Sequence, residues 1–411
     1  MIKTPLSTMI GGAFWTPGAM ILGGTSKTFN QIIQSLFTNN EQGFFYDPND
    51  LTTMFQDAAG TVPVTGEGQP VGLMLDKSKG LVLGSERAVN GDFSNGSANW
   101  NVSGADATHI VTFADGKVRY QSDTISPVLA LNQGGAVVTG KWYEVTINCS
   151  SYVSGSLKID AGNGAQVVVS GLGTFKTKIL ASTNALVLVR NSPNVDLTID
   201  SISVKELPGN HAYQSTSSMR PLLQRNSTTG AYYLAFDGSD DFLVTNNIDF
   251  TATDKVSLFA GVRNLSGVAG MICELSNTIA SNAGSFTLVS GTDAGGTGYN
   301  SSSRGSAAAA RSLAAKAFTY TSPESAVLSA SHSISGSLSR ICRNGVYGVD
   351  GVGNKGTGNF GNYPLYIGRR GGTSIPFNGH LYSLIGVARL STDTETTAVE
   401  KAIAKNVGVT L

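Results

Sequence analysis

The chain has 411 residues, with 28 basic and 28 acidic side chains and no net charge, so it offers no basic field of the kind that holds nucleic acid. Fifty glycines, a charged fraction of 14% and many Val, Ile, Thr, Tyr and Phe between turn residues exclude a helical bundle. They indicate an all-β protein, long enough for two sandwiches and an appendage.

Residues 4–26 are uncharged, but Pro5, Pro17 and several glycines interrupt any continuous membrane helix, and no small-residue cleavage site follows a clean apolar core. The expectation is an extended arm buried against a partner, with no membrane span. Phe29, Ile32, Ile33, Leu36 and Phe37 then recur at helical spacing, predicting a short amphipathic helix over 27–37 with Thr25 or Ser26 as N-cap. Its apolar stripe suits docking on its own protein, on a particle or on sister subunits.

Asn90-Gly-Asp-Phe-Ser-Asn-Gly opens a series of short alternating segments that includes 141–148, 156–160, 165–170 and 185–190 and closes at 195–204. Spacing of this sort predicts a sandwich. Residues 233–244 alternate around a Gly/Asp turn, as two antiparallel strands joined by a tight loop would. Residues 256–262 and 270–275 read as buried strands. The Gly/Ser/Ala-rich patch 281–317 leaves a long rim loop and a short helix both open. Asn344-Gly345 between 338–343 and 346–349 is a type I′ hairpin signal. At the end Thr392 and Glu395 form a capping box, Ala398, Ala402, Ile403 and Asn406 share one side, and Gly408 supplies a C-cap, predicting a terminal helix against the sandwich.

Residues 233–244, with 356–390 and the lead-in 43–80, resemble the laminin-G-like, concanavalin-A-like sandwiches of bacteriophage and prophage virion proteins. In that family Leu-Asp-Lys-Ser runs straight into Gly-Asn-His-Ala, whereas here Leu75-Asp-Lys-Ser78 and Gly209-Asn-His-Ala212 are separated by residues 79–208. The two ends of the intervening stretch resemble carbohydrate-binding, galactose-binding-like jelly rolls, whose first and last strands are neighbours. The resemblance therefore implies two β-sandwich (jelly-roll) domains, one inserted in the other. Residues 43–80 and 208–411 would form the host, 81–207 a guest hinged at Lys79-Gly80 and Pro208-Gly209, and 1–42 an arm and helix for virion anchoring or oligomerisation. It implies a non-enzymatic virion protein, assembled in the host cytoplasm, that binds host cell-surface polysaccharide as a tail-fibre, tail-tip or capsid-decoration component. Other virion proteins are its implied partners, and a homo-oligomer, with a trimer as one form, its implied state. A purely structural decoration module and a polysaccharide depolymerase are the alternatives.

Glycosidic hydrolysis needs two carboxylates about 5 to 10 Å apart, and no Glu-x-Asp-x-x-Glu strand is present. No Gly-x-Ser-x-Gly is present either, and His211 reads as a hydrogen-bonded junction residue rather than a base. Asp237, Asp240 and Asp241 suit a self-capped turn or calcium ligation. Cys149, Cys273 and Cys342, in apolar runs without a Cys-x-x-Cys, read as buried free thiols. Sugar binding needs an aromatic face and a few polar groups. Tyr120, Trp142 and Tyr152 in the guest and Tyr299, Arg304, Tyr363, Arg369 and Arg370 in the host are the glycan-binding candidates, the two adjacent arginines suiting an anionic sugar. By the jelly-roll resemblance, Asp92 and Asp200 would hold a structural calcium, with a capped turn and backbone N–H bonds as the alternative.

Overall fold

A computed structural model describes residues 8–10, 13–15, 27–124, 126–162, 167–291, 298–307, 312–316 and 319–411. The arm expected over 4–26 lies outside the described residues, apart from a ribbon pairing Thr8–Ile10 with Ala13–Trp15. Residues 292–297, 308–311 and 317 of the Gly/Ser/Ala patch lie outside them too. Among the described residues the protein is all-β, built from antiparallel sheets with two α-helices.

Residues 101–206 form an inner sandwich of two five-stranded sheets. The first runs in the order Gly173–Leu180, Trp142–Ser154, Val195–Glu206, Lys117–Ser122, His109–Ala114. Period-two alternation puts Val195, Leu197 and Ile199 inward, and the inward set resumes at Ile202 and Val204. The slip between Ile199 and Ile202 is a bulge at Asp200, opposite Asn148 and Cys149 of Trp142–Ser154, which absorbs the odd residue and keeps both runs on the core side. Trp100 fills this core and donates from Nε1 to the Asn90 carbonyl at 3.0 Å.

The outer sandwich pairs a nine-stranded with an eight-stranded sheet, drawn from residues on both sides of the inner one. Tyr232–Asp237 and Leu243–Asp249, expected as one hairpin, lie in different sheets. The Gly/Asp turn is thus a crossover, because Leu234 and Phe236 on one side and Leu243 on the other all point into the shared core. Where described, the Gly/Ser/Ala patch is neither one long loop nor a helix, but the strands Ser285–Ser290, Tyr299–Arg304 and Ser312–Lys316 with short turns beside them. Two of its buried hydroxyls are matched: Ser301 donates to the Thr287 carbonyl at 2.6 Å and Ser303 pairs with Ser339 at 3.1 Å. Asn344 and Gly345 both have positive φ, 51° and 77°, as the hairpin requires.

Two helices cover the outer face of the eight-stranded sheet. Helix α1, Phe29–Gln34, is capped not by Thr25 or Ser26 but by Thr28, in a capping box with Gln31, and continues as the 3₁₀ turn Ser35–Phe37. Ile33, Leu36 and Phe37 pack on Phe45, Tyr382 and Ile385, so the stripe serves its own protein. Helix α2, Asp393–Val407, has the Thr392/Glu395 capping box and ends on Gly408 with φ 82°. Its buried ridge is Val399, Ile403 and Val407, with the expected Ala398 and Asn406 half-exposed at the rim.

The chain leaves the outer sandwich after Leu73–Met74 and returns with Ala212–Tyr213, and these two strands pair directly, Met74 opposite Ala212. The connecting segments also pair, Glu86 bridging Lys205 and Gly84 N donating to the Glu206 carbonyl at 2.8 Å. Asp76, fully buried, ties the seam. Its carboxylate accepts from Phe45 N at 2.7 Å, Ser78 N and Oγ at 2.8 Å each, and Asn210 N at 2.7 Å. The Asp76 N–H donates to His211 Nδ1 at 2.9 Å, which leaves Nε2 to carry the proton beside the Leu207 carbonyl. The junction is packed rather than freely hinged: Trp142, Leu180 and Leu207 bury against Phe55, Leu73 and Leu75 of the outer sandwich.

Candidate ligand groove at the junction

The strand Leu243–Asp249 carries the irregularity that makes the site. Its sequence Leu-Val-Thr-Asn-Asn-Ile-Asp alternates until Asn246, and its ladder with Asn362–Ile367 shifts register between Val244 and Asn247. A bulge bends the strand and re-aims its side chains. The buried Thr245 hydroxyl stabilises the bulge by accepting from Leu365 N at 2.9 Å and donating to the Asn246 carbonyl at 2.6 Å. Asn246 then reaches the inner sandwich, its Nδ2 donating to the Gly140 carbonyl at 3.0 Å.

Between the bulge and the inner sandwich lies a groove of about 640 Å³, within the range of small-ligand sites. Tyr213 and Tyr366 supply its rings, Asn246, Asn247, Thr139 and Ser182 its polar groups. Tyr213 is braced edge-on by Trp142 at 5.8 Å and Tyr366 lies 6.4 Å from Phe242. Burial raises the Tyr213 phenol above its ordinary range and the neighbouring Tyr366 phenol raises it further, so both are neutral donors at physiological pH. Two half-buried rings with amides and hydroxyls can hold the C–H face of a pyranose and satisfy its hydroxyls.

The expected site residues are not brought together. Tyr120 is fully buried in the inner core with its hydroxyl bonded to the Leu129 carbonyl, and Tyr299 is fully buried and stacked on Tyr320, so neither ring can meet a ligand. Trp142 is the wedge between sandwiches, packed on His211 and Tyr213. Arg304 braces a turn through the Ile279 and Ala280 carbonyls, Arg369 braces another through Thr373 O, and Arg370 is ion-paired to the buried Glu274 at 2.8 Å. Tyr363 packs on the outer core. Tyr152 keeps an open face, 38% exposed. The outward face of the inner sandwich carries ion pairs, Arg119 with Asp196 at 2.7 Å and, farther along the sheet, Lys176 and Lys178 with Glu144 at 3.8 and 3.6 Å. Such a surface offers charge where the sugar reading needed rings.

The donor set at Asp92 and Asp200 does not fit a calcium ion. Asp92 caps its own turn through Ser94, and Asp200 is held by Lys117 at 2.9 Å and by Ser150. A dication there would have to displace an ammonium from the carboxylate. Chelator should accordingly leave the melting temperature unchanged, as should added calcium, in the native chain and in Asp200→Asn alike; a midpoint that falls with chelator would reinstate the ion. Asp237, Asp240 and Asp241 do cluster, but Asp237 Oδ1 accepts from Ser239 N and Asp240 N and Asp241 Oδ2 accepts from Asp237 N, the bonds of a self-capped turn. Burial, with Asp237 beside it, pushes the Asp241 carboxyl up to about 6.

One arrangement was invisible in the sequence. Ser301 Oγ lies 2.7 Å from His332 Nε2, and His332 Nδ1 lies 2.7 Å from Ser339 Oγ. All three side chains are buried between the outer sheets, and burial holds His332 neutral with its pKa lowered to about 3. The relay is a core element that satisfies polar groups, with no path for a substrate. The three cysteines are free and buried.

No protein-family model and no curated protein matches the sequence. Among solved structures, the Ruminococcus gnavus IT-sialidase CBM40 aligns with 38% of this chain and 97% of its own at 15% identity and a TM-score of 0.30. Mouse laminin alpha1 chain domains LG4-5 align with 70% of this chain and 94% of their own at 14% identity and 0.29. The CBM22-1-CBM22-2 tandem of Paenibacillus barcinonensis Xyn10C aligns with 75% and 98% at 10% identity and 0.28. At these identities and scores the reading of function rests on the groove itself.

Proposed function

We propose that this chain is a non-enzymatic adhesion component of a bacteriophage or prophage particle, of tail-fibre, tail-tip or capsid-decoration type, and that it binds a neutral host-surface polysaccharide in the junction groove. The observation that supports binding is the convergence of Tyr213 and Tyr366 with Asn246 and Asn247 in one open groove between two sandwiches. Binding without hydrolysis is favoured because the described residues that line the groove include no carboxylate, and glycosidic cleavage uses a pair. The virion half of the reading rests on the sequence of 43–80, 209–212 and 356–390. In it, 81–207 is a guest module within a host of 43–80 and 208–411, and 1–42 attaches a homo-oligomer to the other virion proteins during assembly in the host cytoplasm.

A glycan array probed with the full chain tests this. The expected result is retention on a subset of neutral polysaccharides. Tyr366→Ala and Asn247→Ala should each weaken it roughly tenfold, about 1.4 kcal/mol, with the melting temperature little changed because both side chains sit at the groove surface. No retention of the native chain on any glycan would overturn the binding half, and release of reducing ends from a retained polysaccharide would overturn the non-enzymatic half.

A further inference from the structure

We infer that the free edge of the eight-stranded sheet, residues 346–352, is a contact between copies of this chain, and that the uncharged arm of a second copy adds a strand to it. The inference rests on the homo-oligomer of the proposed function and assigns the arm to the contact between subunits.

The edge is open and apolar. Asn344-Gly345 turns the chain back along Leu338–Arg343, so that Tyr347 lies opposite Cys342, Gly348 N donates to the Ile341 carbonyl at 2.8 Å, and Gly351 and Ser339 exchange bonds at 2.8 and 2.9 Å. No described strand pairs with its other side. Val346, Tyr347, Val349 and Val352 are each more than half exposed, and the one charge among them, Asp350, is held by Arg340 at 2.8 and 3.0 Å. Edges that stay free in solution are guarded by lysine, proline or a covering segment, because unpaired N–H and C=O groups beside apolar side chains template pairing with another chain. Residues 346–352 carry neither lysine nor proline, and the four apolar side chains are uncovered. A groove of about 220 Å³ beside Tyr347, lined also by Leu338, Arg340 and Leu390, is below the size of a small-ligand site but can take one side chain.

The occupant follows from the other end of the chain. Residues 4–26 carry no charge, and the ribbon of Thr8–Ile10 with Ala13–Trp15 pairs with no other described strand. A two-stranded ribbon alone is marginal in water, and joining an existing sheet completes it. The arm runs into α1, and the groove is lined by Asp393 and Thr396 of α2, so both lie on the helix-covered face. Extended, residues 16–27 span about 40 Å, enough to leave their own subunit. Within one chain the ribbon and the edge stay apart, so the strand that closes the edge comes from a second copy.

Light scattering on the full chain at micromolar concentration should give a discrete multiple of the chain mass. Trp15→Asp and Val346→Asp should each weaken association at least tenfold and leave circular dichroism unchanged, since one change lies in the arm and the other at an exposed edge. Chains carrying Trp15→Cys, mixed with tagged chains carrying Val346→Cys and oxidised, should form a disulfide between the two, over a low background because the native cysteines are buried. A monomer, a polydisperse aggregate, an association unchanged in both aspartate variants, or a disulfide that forms only within a chain carrying both changes overturns the proposal. Glycan retention by a monomer would leave the binding half of the proposed function standing while this inference fails.

Discussion

Replacing Asp76 with alanine should destabilise the protein by about 4 kcal/mol or more, a large share of the 5 to 15 kcal/mol that holds a typical domain together. The carboxylate is fully buried and accepts from Phe45 N, Ser78 N, Ser78 Oγ and Asn210 N at 2.7 to 2.8 Å. Truncation leaves three backbone N–H groups buried without an acceptor, at about 1 to 3 kcal/mol each, whereas the Ser78 hydroxyl can rotate. Asp76→Asn keeps the shape but turns an NH₂ toward at least one donor, so it should recover only part of the loss. Urea unfolding followed by both fluorescence and circular dichroism measures the effect; a loss under about 1.5 kcal/mol for the alanine variant would show that the seam does not depend on this carboxylate.

Acid should unfold the protein through its buried histidines. His211 and His332 are fully buried and their pKa values are lowered to about 3, chiefly by desolvation. Between the folded value and the unfolded value near 6.5 the unfolded chain binds more protons, so stability falls as pH falls through that window and is unaffected above it. From pH 7 to pH 5 each contributes a loss of about 2 kcal/mol, and His380, lowered to about 4, acts in the same direction. Asp241, raised to about 6, works the other way, because the folded state takes up its proton first; it offsets about 1.3 kcal/mol over the same interval. The balance is a net loss of about 2 to 3 kcal/mol or more. Urea midpoints at pH 7 and pH 5 should show it, and His332→Gln should lower stability at pH 7 yet reduce the difference between the two. Equal stability at both pH values in the native chain would contradict the assignment of these side chains as buried and neutral.

Local chemistry made much of the fold legible. Asn344-Gly345, the Thr392/Glu395 box and the alternation of 195–204 each specify a conformation within a few residues, and each forms. Pairing across distance was harder to read. Residues 233–244 alternate as a hairpin would, but alternation gives the face and not the sheet, and the two strands separate to cover one core from opposite sides. The patch 281–317 leaves loop and helix both open in sequence because serine and alanine give no hydrophobic period, although buried hydroxyls can pack if partners such as His332 and Thr287 face them. The site suffered most. Tyr120, Trp142 and Tyr299 have the composition of a sugar platform, but large aromatics are as useful to a core or a seam, and these three serve there. One signal did point to the groove, the broken alternation at Asn246-Asn247, which a reading tuned to motifs passes over.

The adjacency of Leu73–Met74 and Ala212–Tyr213 bears on how the outer sandwich pays for its own topology. Without structure in between, bringing these strands together would close a loop of residues 75–211. Once residues 101–206 have folded, Glu86 and Lys205 already stand opposite each other, and only 75–85 and 206–211 remain to be ordered. On a logarithmic closure law that shortening is worth about 2 kcal/mol of chain entropy. The inner sandwich, whose strands pair among themselves within residues 101–206, thus acts as a cross-link that needs no covalent bond: it lowers the entropy of the unfinished outer sandwich as a disulfide between Asp76 and Asn210 would, and it does so in a protein whose three cysteines are all free.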